Sequence, residues 1–359
     1  MKVASIVGAR PQFIKSAPVS RELRKEDREV LIHTGQHYDH GMSGVFFEEL
    51  GIPKPDYNLG IGSGTHGHQT GAMLAAIEDV LDGERPDVVL VYGDTNSTLA
   101  GALAAAKLNI PVAHVEAGLR SFDRRMPEEV NRVLTDHCSE ILFCPTETAV
   151  SNLAAEGIRN GVFLVGDVMV DAMNYNRGIA EERSRILEDV GVEPGDYLTV
   201  TVHRPSNTDS RESMTAILGA LGEAGRPVVF PVHPRTRKFL DGYGLLGKIP
   251  GNVILTEPLG YLDMIRLMAH AEKILTDSGG IQKEAYLLGV PCITLRENTE
   301  WVETVESGWN VLVGAQRDRI LDAVRHFSPR TRQKNLFGEG NASLLIRKFL
   351  GRWLDTRTG

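Results

Sequence analysis

Short, continuously apolar segments recur along the chain and alternate with segments of helical periodicity. Because polar residues do not interrupt the apolar segments, these are typical of strands that are buried on both faces of a parallel sheet. The predicted strands are Ala4–Val7, Val30–His33, Val88–Tyr92, Val112–Val115, Ile141–Cys144, Val162–Val165, Leu198–Val202, Val228–Val232, Val253–Leu255, Ile274–Thr276, Cys292–Leu295 and Val311–Val313. The predicted helices between them include Gln69–Leu81, Ser97–Leu108, Glu128–His137 and Leu262–Ala271. This alternation predicts a doubly wound α/β architecture.

The strands fall into two series of equal number, which predicts two Rossmann-like domains. Residues Val168–Val190 are predicted to form one long connecting helix, and the glycines of Gly191–Gly195 supply a turn after it. A last amphipathic helix, Ala342–Leu354, is predicted to pack back on the fold. We therefore expect an N-terminal domain of residues 1–168, which also holds the helix within 342–359, and a C-terminal domain of residues 169–341.

Charge and composition restrict the kinds of partner. The chain has 359 residues, with 39 Lys and Arg against 47 Asp and Glu, so its net charge is −8. This acidic balance argues against a nucleic-acid partner, and no apolar run approaches the ~18 residues of a membrane span. The cysteines, Cys138, Cys144 and Cys292, are too few and too scattered for a disulfide framework or a metal site. With no secretory leader in view, we expect a cytoplasmic protein.

Charged and polar side chains follow the ends of most predicted strands, where open α/β sheets bind ligands. They are Arg10, Lys15, Asp94, Glu116, His203, His233, Arg235 and Arg296. Glu116 is the hardest of these to explain by structure alone, because a carboxylate that ends an apolar strand is costly without a partner. A structural role is the alternative for Asp94, as a strand-end cap, and for Glu128, as a complement to a helix dipole.

A glycine-containing turn is a candidate phosphate site. Ser278-Gly279-Gly280 follows a predicted strand and opens a helix, whose free N–H groups and dipole favour an anion. Glu284 lies one turn further and could accept hydrogen bonds from the hydroxyls of a ribose. The alternative is an ordinary strand–helix turn with a surface Glu. Since the chain has neither a Walker loop nor a G-x-G-x-x-G after the first strand, we expect no bound NAD. We also expect no metal, because the cysteines are scattered and His66 and His68, two residues apart, are a poor metal pair.

Eight segments form a specific pattern between Met1 and about Gly314. They are Gly8-Ala9-Arg10-Pro11, Gly35-Gln36-His37, Gly93-Asp94-Thr95, His114-Val115-Glu116-Ala117-Gly118-Leu119-Arg120, Pro127-Glu128-Glu129-Val130-Asn131-Arg132, Thr201-Val202-His203-Arg204, His233-Pro234-Arg235 and Thr276-Asp277-Ser278-Gly279-Gly280-Ile281-Gln282-Lys283-Glu284. In sequence and spacing they resemble the non-hydrolysing UDP-N-acetylglucosamine 2-epimerases. The resemblance implies a GT-B fold, in which two Rossmann-like domains face a cleft and the last helix crosses back onto the N-terminal domain.

The resemblance also implies a reaction and a set of site residues. UDP is eliminated to give 2-acetamidoglucal and is then added back with the proton on the other face, without a cofactor. Asp94, Glu116 and Glu128 are implied as the carboxylates of proton transfer and oxocarbenium stabilisation, with the division into acid and base left open. Arg10, Lys15 and the catalytic His203 would hold the diphosphate or the sugar. The implied UDP-binding residues are His233, Arg235, Ser278, Gly279, Gly280, Glu284 and Arg296.

Two departures from the family pattern bear on the substrate and on regulation. Thr299-Glu300-Trp301-Val302-Glu303 stands where common members have Thr-Glu-Arg-Pro-Glu, and the Trp is similar to the branch that epimerises UDP-2,3-diacetamido-2,3-dideoxy-glucuronate. Tyr38-Asp39-His40 replaces the Arg-Glu of members that UDP-GlcNAc activates, so we expect no such activation. The predicted activity is UDP-GlcNAc 2-epimerase, and the diacetamido-uronate epimerase is the close alternative. A GT-B glycosyltransferase, a hydrolysing epimerase and a non-catalytic UDP-sugar sensor remain as further alternatives, and a homodimer is expected.

Overall fold

The computed structural model describes residues 1–35 and 51–358, apart from the side chains of Arg10, Arg357 and Thr358. The segments Gly35-Gln36-His37 and Tyr38-Asp39-His40 therefore lie wholly or partly outside the described residues. The chain forms two compact units, one of Met1–Asn174 with Asn335–Gly359 and one of Tyr175–Lys334. Each unit is built on one parallel sheet.

Unit 1 contains a seven-stranded sheet in the order β3-β2-β1-β4-β5-β6-β7. Its strands are β1 Lys2–Val7, β2 Arg28–His33, β3 Tyr57–Asn58, β4 Val88–Tyr92, β5 Val112–Val115, β6 Ile141–Cys144 and β7 Val162–Leu164. Its helices are α1 Arg10–Leu23, α2 His66–Glu84, α3 Asn96–Lys107, α4 Pro127–Cys138 and α5 Glu147–Ala155, with α6 Val168–Arg183 crossing the unit boundary. The central strands are buried from end to end, as expected for a sheet that helices cover on both faces.

Unit 2 contains a six-stranded sheet in the order β10-β9-β8-β11-β12-β13. Its strands are β8 Leu198–Thr201, β9 Val228–Pro231, β10 Val253–Thr256, β11 Lys273–Thr276, β12 Cys292–Thr294 and β13 Asn310–Leu312. Its helices are α7 Ile186–Val190, α8 Pro205–Thr208, α9 Arg211–Gly222, α10 Pro234–Gly242, α11 Tyr261–Ala269, α12 Gly279–Leu288, α13 Val302–Glu306 and α14 Arg317–His326, with a 3₁₀ turn at Leu246–Lys248. In both sheets the strand order reverses beside the first strand, which is where doubly wound folds place their ligands.

All of the predicted strands are present, but two details of the prediction differ from the structure. The short strand β3 was missed because its two residues are exposed and belong to no apolar run. The predicted helix over 168–190 is wrong in one respect, since it ends at Arg183 and resumes at Ile186. The Ser184 hydroxyl accepts a hydrogen bond from the Ile186 N–H (3.3 Å) and donates one to Asp263 (2.6 Å). This local side-chain bond competes with the helical pattern and starts a new helix.

The last helix, α15 (Ala342–Thr358), packs within unit 1. The ring of Phe349 stacks on Phe163 of β7, with 4.5 Å between the ring centroids. The Arg347 guanidinium donates to Asp27 at 2.9 Å, and the Ser343 N–H donates to Asp171 at 3.0 Å. An apolar contact and charged contacts therefore fix the helix to the first unit. No helix in the part of the chain that the structure describes is both long and apolar enough to span a membrane.

Candidate active site

Three strand exits of unit 1 meet at one point. β1, β4 and β5 are neighbours in the sheet. Lys15 lies in α1, which follows β1, while Gly93 directly follows β4 and Glu116 directly follows β5. Lys15 Nζ forms an ion pair with Glu116 Oε2, and the Glu116 side chain is only 7% exposed. A Cβ atom placed on Gly93 would lie 3.3 Å from the Lys15 ammonium and 3.4 Å from the Glu116 carboxylate. The absence of a side chain at Gly93 thus lets the ion pair lie against the backbone of the turn.

Glu116 has a backbone conformation that side chains rarely adopt. Its φ angle is +73°, in the left-handed region, directly after β5. The N–H groups of Glu116 and Ala117 both donate to the Phe143 carbonyl at 3.1 Å. These two bonds to the neighbouring strand hold the strained residue in place. Backbone strain of this kind concentrates at functional sites, where the surrounding structure imposes it.

Asp94 lies beside this pair, at the exit of β4, and is held by α4. Its carboxylate forms an ion pair with Arg132, and its carbonyl accepts a hydrogen bond of 2.9 Å from Asn131. Arg132 also donates to Glu129 at 2.6 Å, and Glu129 accepts from the Ser121 and Phe122 N–H groups, each at 2.9 Å. Burial acts to raise the pKa of Glu129, but these hydrogen bonds and the Arg132 charge outweigh it and lower that pKa.

Glu128 differs from its neighbour Glu129. It lies in the first turn of α4 and is half-buried. Among residues 1–35 and 51–358, no group forms an ion pair or hydrogen bond with its carboxylate. Glu129 takes the structural role at this helix start, which leaves the Glu128 carboxylate uncommitted. Arg10 is the first residue of α1, and its side chain lies outside the described residues.

His203 of unit 2 is held by a buried carboxylate. Asp277, at the exit of β11, accepts hydrogen bonds from the backbone N–H groups of His203 (3.0 Å) and Arg204 (2.9 Å). The amide of Asn207 donates to it at 3.0 Å, and His203 Nδ1 lies 3.4 Å away. Burial lowers the pKa of His203, while Asp277 opposes this and the charges of Arg204 and His233 add to it. The imidazole is therefore neutral at pH 7 and is oriented by Asp277.

The glycine turn of unit 2 is tightly packed. Ser278 is the N-cap residue of α12, and a Cβ atom on Gly279 would overlap the Glu300 carboxylate. Burial acts to raise the pKa of Glu300, but the charge and hydrogen bond of Arg296, together with a backbone hydrogen bond and the charge of Arg204, outweigh it and lower that pKa. Arg296 Nη2 lies 3.0 Å from Glu300 Oε2, while Arg296 Nη1 and Arg204 Nε are buried without a hydrogen-bond partner in the described chain. Two guanidinium groups thus have nitrogen donors available beside this helix start.

The other predicted residues of unit 2 lie near this turn or on α10. Glu284 is buried one turn into α12, and burial together with its charge raises the pKa of Tyr261. His233 caps α10 by accepting from the Arg235 N–H at 3.2 Å, and its ring centroid is 5.7 Å from that of His203. The Arg235 guanidinium forms an ion pair with Asp209 and lies 5.0 Å from the Phe239 ring centroid.

Trp301, the departure from the family pattern, is turned inward. The side chain is buried, and its indole ring lies 4.2 Å from Lys283 Nζ, which places a cation over its face. The prediction from sequence missed this pair, and it gave no role to Arg132, Glu129 and Asp277, although they lie in the segments that carry the family resemblance. Among the described residues no group of His, Cys, Asp and Glu has the arrangement of a metal site.

Solved structures show the fold. A UDP-GlcNAc 2-epimerase from Methanocaldococcus jannaschii, solved with UDP-GlcNAc and UDP, matches with a TM-score of 0.91 at 49% identity, over 98% of this chain and 100% of that one. The calicheamicin glycosyltransferase CalG4 is similar in fold alone, with a TM-score of 0.59 at 16% identity, over 98% of each chain. The predicted GT-B fold of two Rossmann-like domains is confirmed.

Sequence comparisons show the family. A protein of Methanococcus maripaludis, described as a UDP-N-acetylglucosamine 2-epimerase homolog, is 59% identical over 96% of this chain and 98% of its own. The UDP-2,3-diacetamido-2,3-dideoxy-D-glucuronate 2-epimerase of Pseudomonas aeruginosa is 50% identical over 98% of this chain and 100% of its own. The family model for UDP-N-acetylglucosamine 2-epimerase matches residues 21–351. The chain belongs to the UDP-N-acetylglucosamine 2-epimerase family, a family of isomerases.

Proposed function

We propose that this protein interconverts UDP-GlcNAc and UDP-ManNAc by eliminating and re-adding UDP, through 2-acetamidoglucal. The observation that carries the proposal is the meeting of Lys15, Gly93 and Glu116 at adjacent strand exits, with Asp94 as the next residue of the same turn. A carboxylate at this place in an α/β sheet, backed by an ammonium group, is suited to moving a proton at a bound sugar.

In the proposed reaction, the carboxylates of unit 1 act on the sugar. The C2 proton is not acidic until the C1–O bond begins to break, because the developing oxocarbenium charge at C1 then acidifies it. The C1–O electron pair leaves on UDP, a carboxylate takes the C2 proton, and the C1–C2 double bond forms. In the return step a proton is delivered to the opposite face of C2 and a UDP oxygen adds to C1. Proton transfer on two faces requires two carboxylates, and Asp94, Glu116 and Glu128 supply them.

In the proposed reaction, unit 2 binds the nucleotide. The Ser278–Gly280 turn offers backbone N–H groups at the start of α12, and the neighbouring Arg296 and Arg204 have buried donors without a partner in the described chain. This arrangement is suited to a diphosphate, because the backbone N–H groups and these guanidinium donors can bind its negatively charged oxygens. His203 would stabilise the leaving UDP, and Glu284 would accept the ribose hydroxyls, while Arg10 and Lys15 of unit 1 would hold the sugar.

The substrate has one close alternative, the diacetamido-uronate. The observation that favours it is Trp301, which stands where common members have Arg and packs against Lys283 in the interior of unit 2. Incubation of the protein with each UDP-sugar in parallel, followed by NMR of the anomeric protons, separates the two. We expect turnover of UDP-GlcNAc, and turnover of the diacetamido-uronate alone would overturn the primary substrate.

The remaining alternatives differ in their products. A glycosyltransferase needs an acceptor and releases UDP, a hydrolysing epimerase releases free N-acetylmannosamine, and a sensor binds UDP-GlcNAc without converting it. The same NMR experiment therefore excludes each of them if UDP-ManNAc accumulates to an equilibrium with UDP-GlcNAc and no free sugar forms.

We also propose that the protein acts as a cytoplasmic homodimer. Support for self-association comes from α4, where Val130 and Leu134 are exposed one turn apart on the helix surface. The free state of all three cysteines is compatible with a reducing compartment. Light scattering after size-exclusion chromatography tests the dimer, with a Leu134→Glu variant expected to shift the mass to that of one chain. Cell fractionation tests the compartment.

A further inference from the structure

His114 is a fully buried histidine in the centre of the unit 1 sheet, and both of its ring nitrogens face oxygen atoms. Nε2 lies 2.7 Å from the Gly93 carbonyl oxygen, at the exit of the neighbouring strand β4. Nδ1 lies 2.7 Å from Asp136 Oδ1, on α4. Both contacts are short enough to be strong hydrogen bonds.

The two partners fix where the protons are. A carbonyl oxygen only accepts, so Nε2 must carry a proton. Asp136 also accepts hydrogen bonds at Oδ2 from Arg120 Nη1 (2.7 Å) and from the Gly118 N–H (3.1 Å), which favours the ionised carboxylate. Although burial acts to raise the pKa of Asp136, His114 and Arg120 outweigh it and lower that pKa. A carboxylate likewise only accepts, so Nδ1 carries a proton too.

The surrounding charges balance a cation at this position. Arg120 forms a two-fold contact with Glu156, at 2.7 Å for each bond, in addition to its bond to Asp136. His137 lies 3.5 Å from Glu156 at a half-exposed position. The thiol of Cys144 faces the same cluster, and burial with the Asp136 charge raises its pKa to about 12, so it is neutral. Two buried cations therefore face two carboxylates, which is the condition for holding charge in a protein interior.

We propose that His114 is a positioning residue that donates a hydrogen bond from each ring nitrogen and so holds the Gly93–Asp94 turn in its active geometry. The Gly93 N–H donates to the Val115 carbonyl at 3.0 Å while its carbonyl accepts from His114, so both polar groups of this residue are held from β5. Gly93 lies against the Lys15–Glu116 pair and precedes Asp94. The positioning role rests on the proposed function, whereas the protonation state rests on the geometry alone.

Two substitutions separate the two hydrogen bonds of His114. In His114→Gln the amide nitrogen matches the reach of Nε2 and keeps a donor toward Gly93. In His114→Asn the amide matches the reach of Nδ1 and keeps only the donor toward Asp136. A displacement of the turn by about 1 Å costs up to about a hundredfold in rate. We expect His114→Asn to lose tenfold to a hundredfold in kcat with KM little changed, and His114→Gln to keep most of kcat.

The protonation state is measured on the unmodified protein, so it does not depend on either variant folding. In ¹⁵N NMR of the full chain at pH 7.5, with sequential assignment of His114, we expect both ring nitrogens to show the protonated shift. An unprotonated nitrogen would overturn the assignment of two donors, and equal losses of kcat in the two variants would overturn the positioning role. A wild-type protein without turnover would instead defeat the proposed function and leave the NMR result standing.

Discussion

The ammonium group of Lys15 pairs with the Glu116 carboxylate across 101 positions of sequence. The pair exists because β1 lies beside β4, and β4 beside β5, so that the exits of β1 and β5 meet over Gly93, at the exit of β4. A carboxylate at a strand exit, in strained backbone and almost without solvent contact, is expensive to maintain for stability alone. This relationship is the basis of the first two predictions.

Replacement of Glu116 by Gln is expected to lower kcat by about 10²–10⁴-fold, because the amide keeps the shape of the side chain but cannot take up a proton. The measurement is the rate of appearance of UDP-ManNAc from UDP-GlcNAc, with a thermal melt to confirm folding. Glu193→Gln, at an exposed position in unit 2, is the matched control and should retain the wild-type rate. Full activity of Glu116→Gln would remove this carboxylate from the chemistry.

Gly93→Ala tests the crowding at the turn. Gly93 has a φ of +64°, and a methyl group there would press on Lys15 and Glu116 at 3.3–3.4 Å. Gly157→Ala is the control, since Gly157 has a φ of +85° but nothing within 4 Å of an added Cβ. We expect both variants to lose about 1 kcal/mol or more of stability from the strained backbone, and only Gly93→Ala to lose activity. An active Gly93→Ala enzyme would contradict the tight contact.

The pH behaviour of His203 follows from its burial. Its pKa is below the ordinary value of about 6.5, so the unfolded chain takes up a proton at a higher pH than the folded protein does. As the pH falls below about 6.5, the wild type should therefore lose stability relative to His203→Gln. Histidine NMR titration measures the pKa directly. His233→Gln should raise the pKa of His203, because His233 acts to lower it, and an unchanged or lower value would contradict this account.

Gly279 and Gly280 provide a matched pair at the candidate phosphate turn. An added methyl group would overlap Glu300 at Gly279 but meets only Ser278 Oγ, at 3.8 Å, at Gly280. Gly279→Ala should lower the free energy of unfolding, whereas Gly280→Ala should raise it by up to about 1 kcal/mol through helix propensity. The double variant Gly279→Ala, Glu300→Ala should lose less stability than the sum of the single variants. Strict additivity would show that the two residues do not touch.

Sequence patterns were sufficient for the fold because most of its strands, including the central ones of both sheets, are buried on both faces. Each is a continuous apolar run, which periodicity identifies without knowledge of the tertiary structure. The two details that the prediction got wrong, strand β3 and the helix break after Arg183, depend instead on contacts with other parts of the chain. The strand at Tyr57–Asn58 is held by its pairing with β2, and the break after Arg183 depends on a bond from Ser184 to Asp263, 79 residues away.

The sequence predicted where the candidate site residues lie, but not which side chains hold them. Strand exits can be located from the sequence, which placed Lys15, Asp94 and Glu116 together at one edge of the sheet. The groups that hold them come from distant segments. Arg132 pairs with Asp94 across 38 positions, and Asp277 binds the His203 backbone across 74. Pairs of this kind depend on the three-dimensional packing, and no local spacing in one sequence indicates them.

The central claim is that UDP leaves and returns while a carboxylate exchanges the proton at C2 of the sugar. The most direct test is ¹H NMR of UDP-GlcNAc with the wild-type protein in D₂O. We predict that UDP-ManNAc forms, that its C2 carries deuterium, and that the C2 proton signal of UDP-GlcNAc declines as equilibrium is approached. UDP-ManNAc that retains the original C2 proton, or UDP-GlcNAc that remains unchanged, would contradict the account.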